Sequence, residues 1–160
     1  MPFVPAIKDY KPFYFQTDSD ASAWDTRDYG MIVKEQPFPD NYEAKEPYKN
    51  TWHDENGDDE YTDAMFRKAF EYTLKLFIQA GTIEEVNTLR DAFRAKIKSG
   101  SFKIWDSWQK RGFASVRFVS DKVESRRITD DFARMIFSIT IKVNDPSTVV
   151  SFSNGSIVTA

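Results

Sequence analysis

His53 stands beside Asp54, and an imidazole next to a carboxylate is the beginning of an acid–base pair. For such a pair to catalyse, the ring must be oriented against a nucleophile in a pocket, and no G-x-S-x-G elbow supplies one. His53 is the chain's one histidine and cysteine is absent. Those two facts exclude thiol catalysis, zinc–thiolate centres, multi-histidine metal sites and a disulfide framework. Paired carboxylates cleave glycosides, but an acidic chain offers many pairs, and their separation in space is not written in the sequence. The acidic run around Gly57 is the best candidate for a cation. Setting Gly57 at position 6 of a calcium loop puts Asn56 at 5 and Asp54 at 3, but Trp52 at 1 and Asp63 at 12. Position 1 then has no ligand oxygen, and aspartate at 12 reaches less far than glutamate. No catalytic residue, cofactor or metal is expected, and the chain reads as a non-enzyme.

What the ionisable residues do offer is attraction. Residues 1–63 hold 6 Lys/Arg against 15 Asp/Glu, and residues 64–160 hold 16 against 10, so halves of −9 and +6 sum to −3. The acids crowd into Asp54, Glu55, Asp58, Asp59 and Glu60. The bases recur every four residues at Arg90, Arg94 and Lys98, with Lys96 near. Either pattern fits an ordinary solvated surface. Together they also fit a head-to-tail contact between copies, acidic loop on basic stripe, which closes into a ring where the rotation permits. Asp54, Glu55, Asp58, Asp59, Glu60, Arg90, Arg94 and Lys98 are the subunit-interface candidates. A phosphate would satisfy the stripe equally well, but the chain as a whole is no polycation, and sequence-specific nucleic-acid binding is not expected. Lys110-Arg111 and Arg126-Arg127 fall at expected turns.

The elements that must carry these residues emerge clearly after residue 64. Phe70, Tyr72, Leu74, Leu76 and Ile78 alternate with mostly polar neighbours, the period of a half-buried strand. Thr82-Ile83-Glu84-Glu85 has capping-box spacing. Ile83, Val86, Leu89, Phe93 and Ile97 then form one apolar stripe of a helix over about 82–98, ended by Ser99-Gly100 with glycine suited to a left-handed position. Strands are expected at Phe102–Trp105, at Phe113–Val119 and around Met135–Val143, with the polar stretch 121–129 as a long hairpin tip. Asn154-Gly155 marks a final hairpin. Short connections favour antiparallel pairing.

Before residue 64 the prolines Pro2, Pro5, Pro12, Pro37, Pro39 and Pro47 resist regular structure. Only Tyr29–Val33 reads as a short edge or connecting strand. The expectation is therefore a single folding unit: an irregular proline-rich arm with an acidic loop over 1–63, and a β-rich core with one helix over 64–160. The fold class is α+β, mostly β, an antiparallel sandwich or partly open barrel. No apolar run reaches the ~18 residues of a membrane span, and the first residues do not have the pattern of a secretory signal.

The order of these features resembles the N-terminal domain of phage distal tail proteins, which form the ring between tail tube and baseplate. The resemblance is carried by an Asp-Tyr-Gly stretch (Asp28-Tyr29-Gly30-Met31-Ile32-Val33) and by a polar glycine turn (Trp52 to Asp58). After these come a long strand, the Thr82 to Ile97 helix and a hairpin-rich sheet ending in a long strand. It covers about residues 25–145 and involves no catalytic motif. The turn lacks an arginine next to its glycine, and no second, C-terminal domain is expected. A distal tail protein, a tube protein and another ring component all stay open. The resemblance implies a virion tail protein made in the bacterial cytoplasm, assembling with itself into a ring, a hexamer in the family, and with other tail proteins.

Two rivals stand beside it. The aromatic load, with Trp105, Trp108 and Phe113 flanking a hairpin, suits a carbohydrate-binding module. The basic helix face suits a nucleic-acid binder, against the overall acidity. Asn154-Gly155-Ser156 matches a glycosylation acceptor, discounted without a secretory signal.

Overall fold

The structure, a computed structural model, describes residues 13–35, 49–51, 58–60 and 68–159. It is mostly β, with one helix and one large antiparallel sheet that stays open. The strands are β1 (Phe13–Thr17), β2 (Trp24–Asp25), β3 (Met31–Glu35), β4 (Lys49–Thr51), β5 (Asp58–Glu60) and β6 (Phe70–Ala80). After helix α1 (Ile83–Lys98) come β7 (Phe102–Asp106), β8 (Arg111–Ile128), β9 (Ala133–Asp145), β10 (Val150–Ser153) and β11 (Ser156–Thr159). Seven strands form the main sheet in the order β2-β1-β7-β8-β9-β6-β3, while β4–β5 and β10–β11 are separate antiparallel pairs.

The alternation read from the sequence fixes which side of the sheet is dry. Leu74, Leu76 and Ile78 on β6 face the same way as Met135, Phe137, Ile139 and Ile141 on β9, and all are fully buried. Helix α1 lies across that face and buries Val86, Phe93 and Ile97, each worth about 1.5–3 kcal/mol. Thr82 caps it as expected, its hydroxyl accepting from the Glu85 amide at 3.3 Å. At the other end Ser99 closes the helix in a right-handed conformation, and Gly100 takes φ of +154° rather than the left-handed helical position expected of it.

Two expectations are corrected. The irregular arm does not include residues 13–35, which supply β1, β2 and β3 to the main sheet, β3 lying at its edge as expected for Met31 to Val33. Phe13 and Phe15 are fully buried and pair with β7 opposite Asp106 and Ile104. Pro12 precedes β1 and so removes no ladder donor within it, which is why a proline-rich segment still yields a strand. The second correction concerns the stretch 121–129, expected as a hairpin tip. It is strand to Ile128, paired with β9 as far as Ala133, and the tip is only the turn 129–132, closed by the Thr129 amide donating to Phe132 O at 2.8 Å. Polar composition concealed it because, among the described residues, β9 alone supplies its ladder and most of its side chains are exposed.

On the opposite face, at the β1–β7–β8 end, the β10–β11 hairpin covers Trp105 with Val150 and Ile157. Asn154 (φ +52°) and Gly155 (φ +76°) make the two-residue turn that the Asn-Gly pair encodes. Gly112 lets this layer close: a Cβ there would sit 2.1 Å from Ile104 O and 3.0 Å from a Val150 methyl. No helix among the described residues is long and apolar enough to cross a membrane.

Candidate functional site

The basic stripe of α1 is turned onto its own sheet. Arg90 donates to Asp121 of β8 at 2.7 Å, and Arg94 Nε lies 3.0 Å from the same carboxylate oxygen. Lys98 Nζ sits 4.9 Å from the Phe118 ring centre, and the Arg90 guanidinium 5.4 Å from that of Phe137. A bulge makes this seam possible. Phe118 pairs with Ile141 but Ser120 with Thr140, so Val119 is an extra residue in β8. Without that extra residue, alternation would carry Ser120 and Lys122 to the helix side. With it, Asp121 and Val123 face α1, opposite Ile139 and Phe137.

Lys96 is engaged as well, with Asp20 in the β1–β2 connection. Asp20 also accepts from the Thr17 amide (2.9 Å), the Thr17 hydroxyl (2.8 Å) and the Trp24 indole (3.0 Å). Burial pushes this carboxyl up, but the hydrogen bonds from Lys96, Thr17 and Trp24 outweigh it and hold it at about 2. Asp20, Trp24, Asp28, Tyr29 and Lys96 line an open cleft of about 560 Å³. These groups are held by one another: the Asp20 carboxylate is paired with the Lys96 ammonium, and the Trp24 indole stacks on Phe15 at 5.0 Å. The Asp28-Tyr29-Gly30 stretch is the end of a short 3₁₀ turn that opens at Asp25, whose carboxylate accepts from the Arg27 amide at 2.7 Å.

The aromatics of the β7–β8 hairpin do not share a platform. Trp105 is buried under the β10–β11 hairpin beside Phe152, Phe113 packs edge-on to Phe70 in the core, and Trp108 is 62% exposed at the turn. That turn is fixed by Asp106, fully buried, whose carboxylate accepts from the Trp108 amide at 2.9 Å. Burial pushes the Asp106 carboxyl up, against the amides of Trp108 and Gln109 and the charge of Arg111.

The surface left open is an edge. β7 pairs with β8 only from Arg111 to Val116, whereas β9 follows β8 to Ile128. From Arg117 to Ile128, one side of β8 has no strand beside it among the described residues. This segment carries Arg117, Lys122, Arg126 and Arg127 against Asp121 and Glu124. Lys122, Arg126 and Arg127 are exposed and form no ion pair among the described residues.

Of the eight interface candidates, Arg90 and Arg94 converge on Asp121, and Lys98 on Phe118. Asp58, Asp59 and Glu60 form β5, paired with Lys49–Thr51 of β4. Asp54 and Glu55 lie outside the described residues, as do His53 and the calcium-loop positions Trp52, Asn56, Gly57 and Asp63. Among the described residues, no group of three His, Cys, Asp or Glu side chains is placed to hold a metal. Sequence reasoning missed Asp121 and the β8 edge. The spacing Val116, Phe118, Asp121, Val123 was the available signal, since its period breaks by one residue. The chain matches no protein-family model and no curated protein.

Proposed function

We propose that this protein is a structural component of a phage or prophage tail that assembles with itself into a ring at the tail tube or baseplate. The observation that carries the reading is the edge of β8, which among the described residues has no neighbouring strand beyond Val116 and carries an excess of basic side chains, on a molecule whose first 63 residues hold a −9 balance. Such a molecule attracts its own kind head to tail. The order of the Asp28-Tyr29-Gly30 turn, β6, α1 and the β7–β9 sheet supports the tail assignment by its resemblance to distal tail proteins. The scattered positions of Trp105, Trp108 and Phe113 favour this reading over a carbohydrate-binding module.

Light scattering coupled to size-exclusion chromatography tests it. Oligomers that grow with concentration and weaken with salt are expected, because the reach of interface charges shrinks to about 8 Å at physiological ionic strength and further above it. A strict monomer at high concentration and low salt overturns the reading. Ring-shaped particles in negative stain would support it directly.

A further inference from the structure

We propose that the edge of β8 from Arg117 to Ile128 is the docking site for strand β5 of a second copy of this chain. The inference rests on the assembly reading above and names the two surfaces that meet. Both are strand edges. β8 beyond Val116 has β9 on one side only, and β5 has β4 on one side only, among the described residues. Unpaired main-chain donors and acceptors on both make each a template for strand addition.

Charge selects which edges meet. β8 presents Arg117, Lys122, Arg126 and Arg127, and of its two acids Asp121 is already neutralised by Arg90 and Arg94. Two β8 edges therefore repel one another. β5 is Asp58-Asp59-Glu60, three successive acids, so two β5 strands repel as well. Pairing of β5 with β8 is the combination that opposite charges across a ladder favour. The helix stripe is a weaker competitor for these acids, since Arg90, Arg94 and Lys96 are paired with carboxylates of their own subunit and only Lys98, over the Phe118 ring, keeps an unpaired charge among the described residues. The contact joins different surfaces on the two copies, which is the heterologous geometry that generates rings.

The absence of cysteine makes the test clean. Ser125→Cys, at an exposed position on β8, and Asp59→Cys are prepared as two proteins, mixed and mildly oxidised. Only a bond between copies can join them, and paired strands bring Cβ atoms within disulfide reach. The expected result is a cross-linked dimer in the mixture and little in either protein alone. R126E/R127E on the Ser125→Cys protein abolishes it, and D58R/E60R on the Asp59→Cys protein restores it, with far-UV circular dichroism confirming that each variant is folded. Absence of cross-linking while light scattering still reports oligomers overturns the docking and leaves the assembly reading standing. A monomer under all conditions overturns both. An intrachain disulfide in the S125C/D59C double variant, with no dimer, shows β5 seated on its own sheet and also overturns the proposal.

Discussion

The Asp121 carboxylate lies 2.7 Å from the Arg90 guanidinium, a contact that spans 31 residues of sequence and is largely shielded from solvent on both sides. It locks α1 to the distal half of β8, where apolar packing thins out. Asp121→Asn removes the charge that Arg90 and Arg94 share and leaves two cations crowded over the sheet. We expect a loss of about 3 kcal/mol, read from urea unfolding, because breaking a shielded pair strands the remaining charge. Arg94→Met should cost less, since Arg94 is 30% exposed and Arg90 still holds the carboxylate.

Asp20 gives the fold an acid-sensitive latch. Its carboxyl is held at about 2, below the ordinary value of 3.8, so the contribution of its ionised form is complete above about pH 4 and fades as pH falls through about 2. Asp20→Asn should therefore lower the urea midpoint at neutral pH, with the gap to the parent protein closing as pH approaches 2. A gap that stays constant with pH would show that Asp20 acts only through uncharged hydrogen bonds.

Gly112→Ala puts a methyl group against main chain that cannot retreat, 2.1 Å from Ile104 O and 3.0 Å from Trp105 Cα. The expected loss is about 2 kcal/mol or more, seen as a lower melting temperature, because either β7 and β8 part or the β10–β11 hairpin lifts. Lifting would expose Trp105, so a red shift of tryptophan fluorescence below the melting point distinguishes the two.

The bulge at Val119 predicts an unusual tolerance. Deleting Val119 brings Phe118 and Ser120 into unbroken register with Ile141 and Thr140, and Asp121 still faces α1. Deleting Lys122 instead turns Val123 outward and sets Glu124 opposite the buried Phe137, before the second register slip at Val123/Ser125 absorbs the change. The first variant should fold with a modest cost. The second should lose at least about 2 kcal/mol for burying a carboxylate without a partner, as measured by chemical denaturation.

The core was legible because period-two and period-3.6 patterns in β6, β9 and α1 record burial directly. Thr82 and Asn154-Gly155 were legible because cap and turn chemistry is local. β1 was missed although Phe13, Phe15 and Thr17 alternate, since neighbouring prolines obscured a strand only five residues long. The distal half of β8 was missed for the opposite reason: its ladder comes from β9, and side chains that remain in water leave no apolar trace. The destination of Arg90 and Arg94 was hidden by one residue, Val119, because that bulge shifts the side chains from Ser120 to Val123 to the other face until the next slip in register. Spacing marked them as one surface of the helix but said nothing about whether that surface looked outward.

The β10–β11 hairpin is fastened to the first strand of the sheet: the Ile157 amide donates to Gln16 Oε1 at 2.8 Å across 141 residues, and Ala23 donates to Gly155 O at 2.8 Å. Contacts so remote in sequence form late. Among the described residues, Tyr14 and Trp105 are covered on their outer side by this hairpin, so that cover forms only once β10 and β11 are in place. Closure of this layer consequently waits on the β10–β11 hairpin, and a chain cut short before it presents an aromatic surface to chaperones.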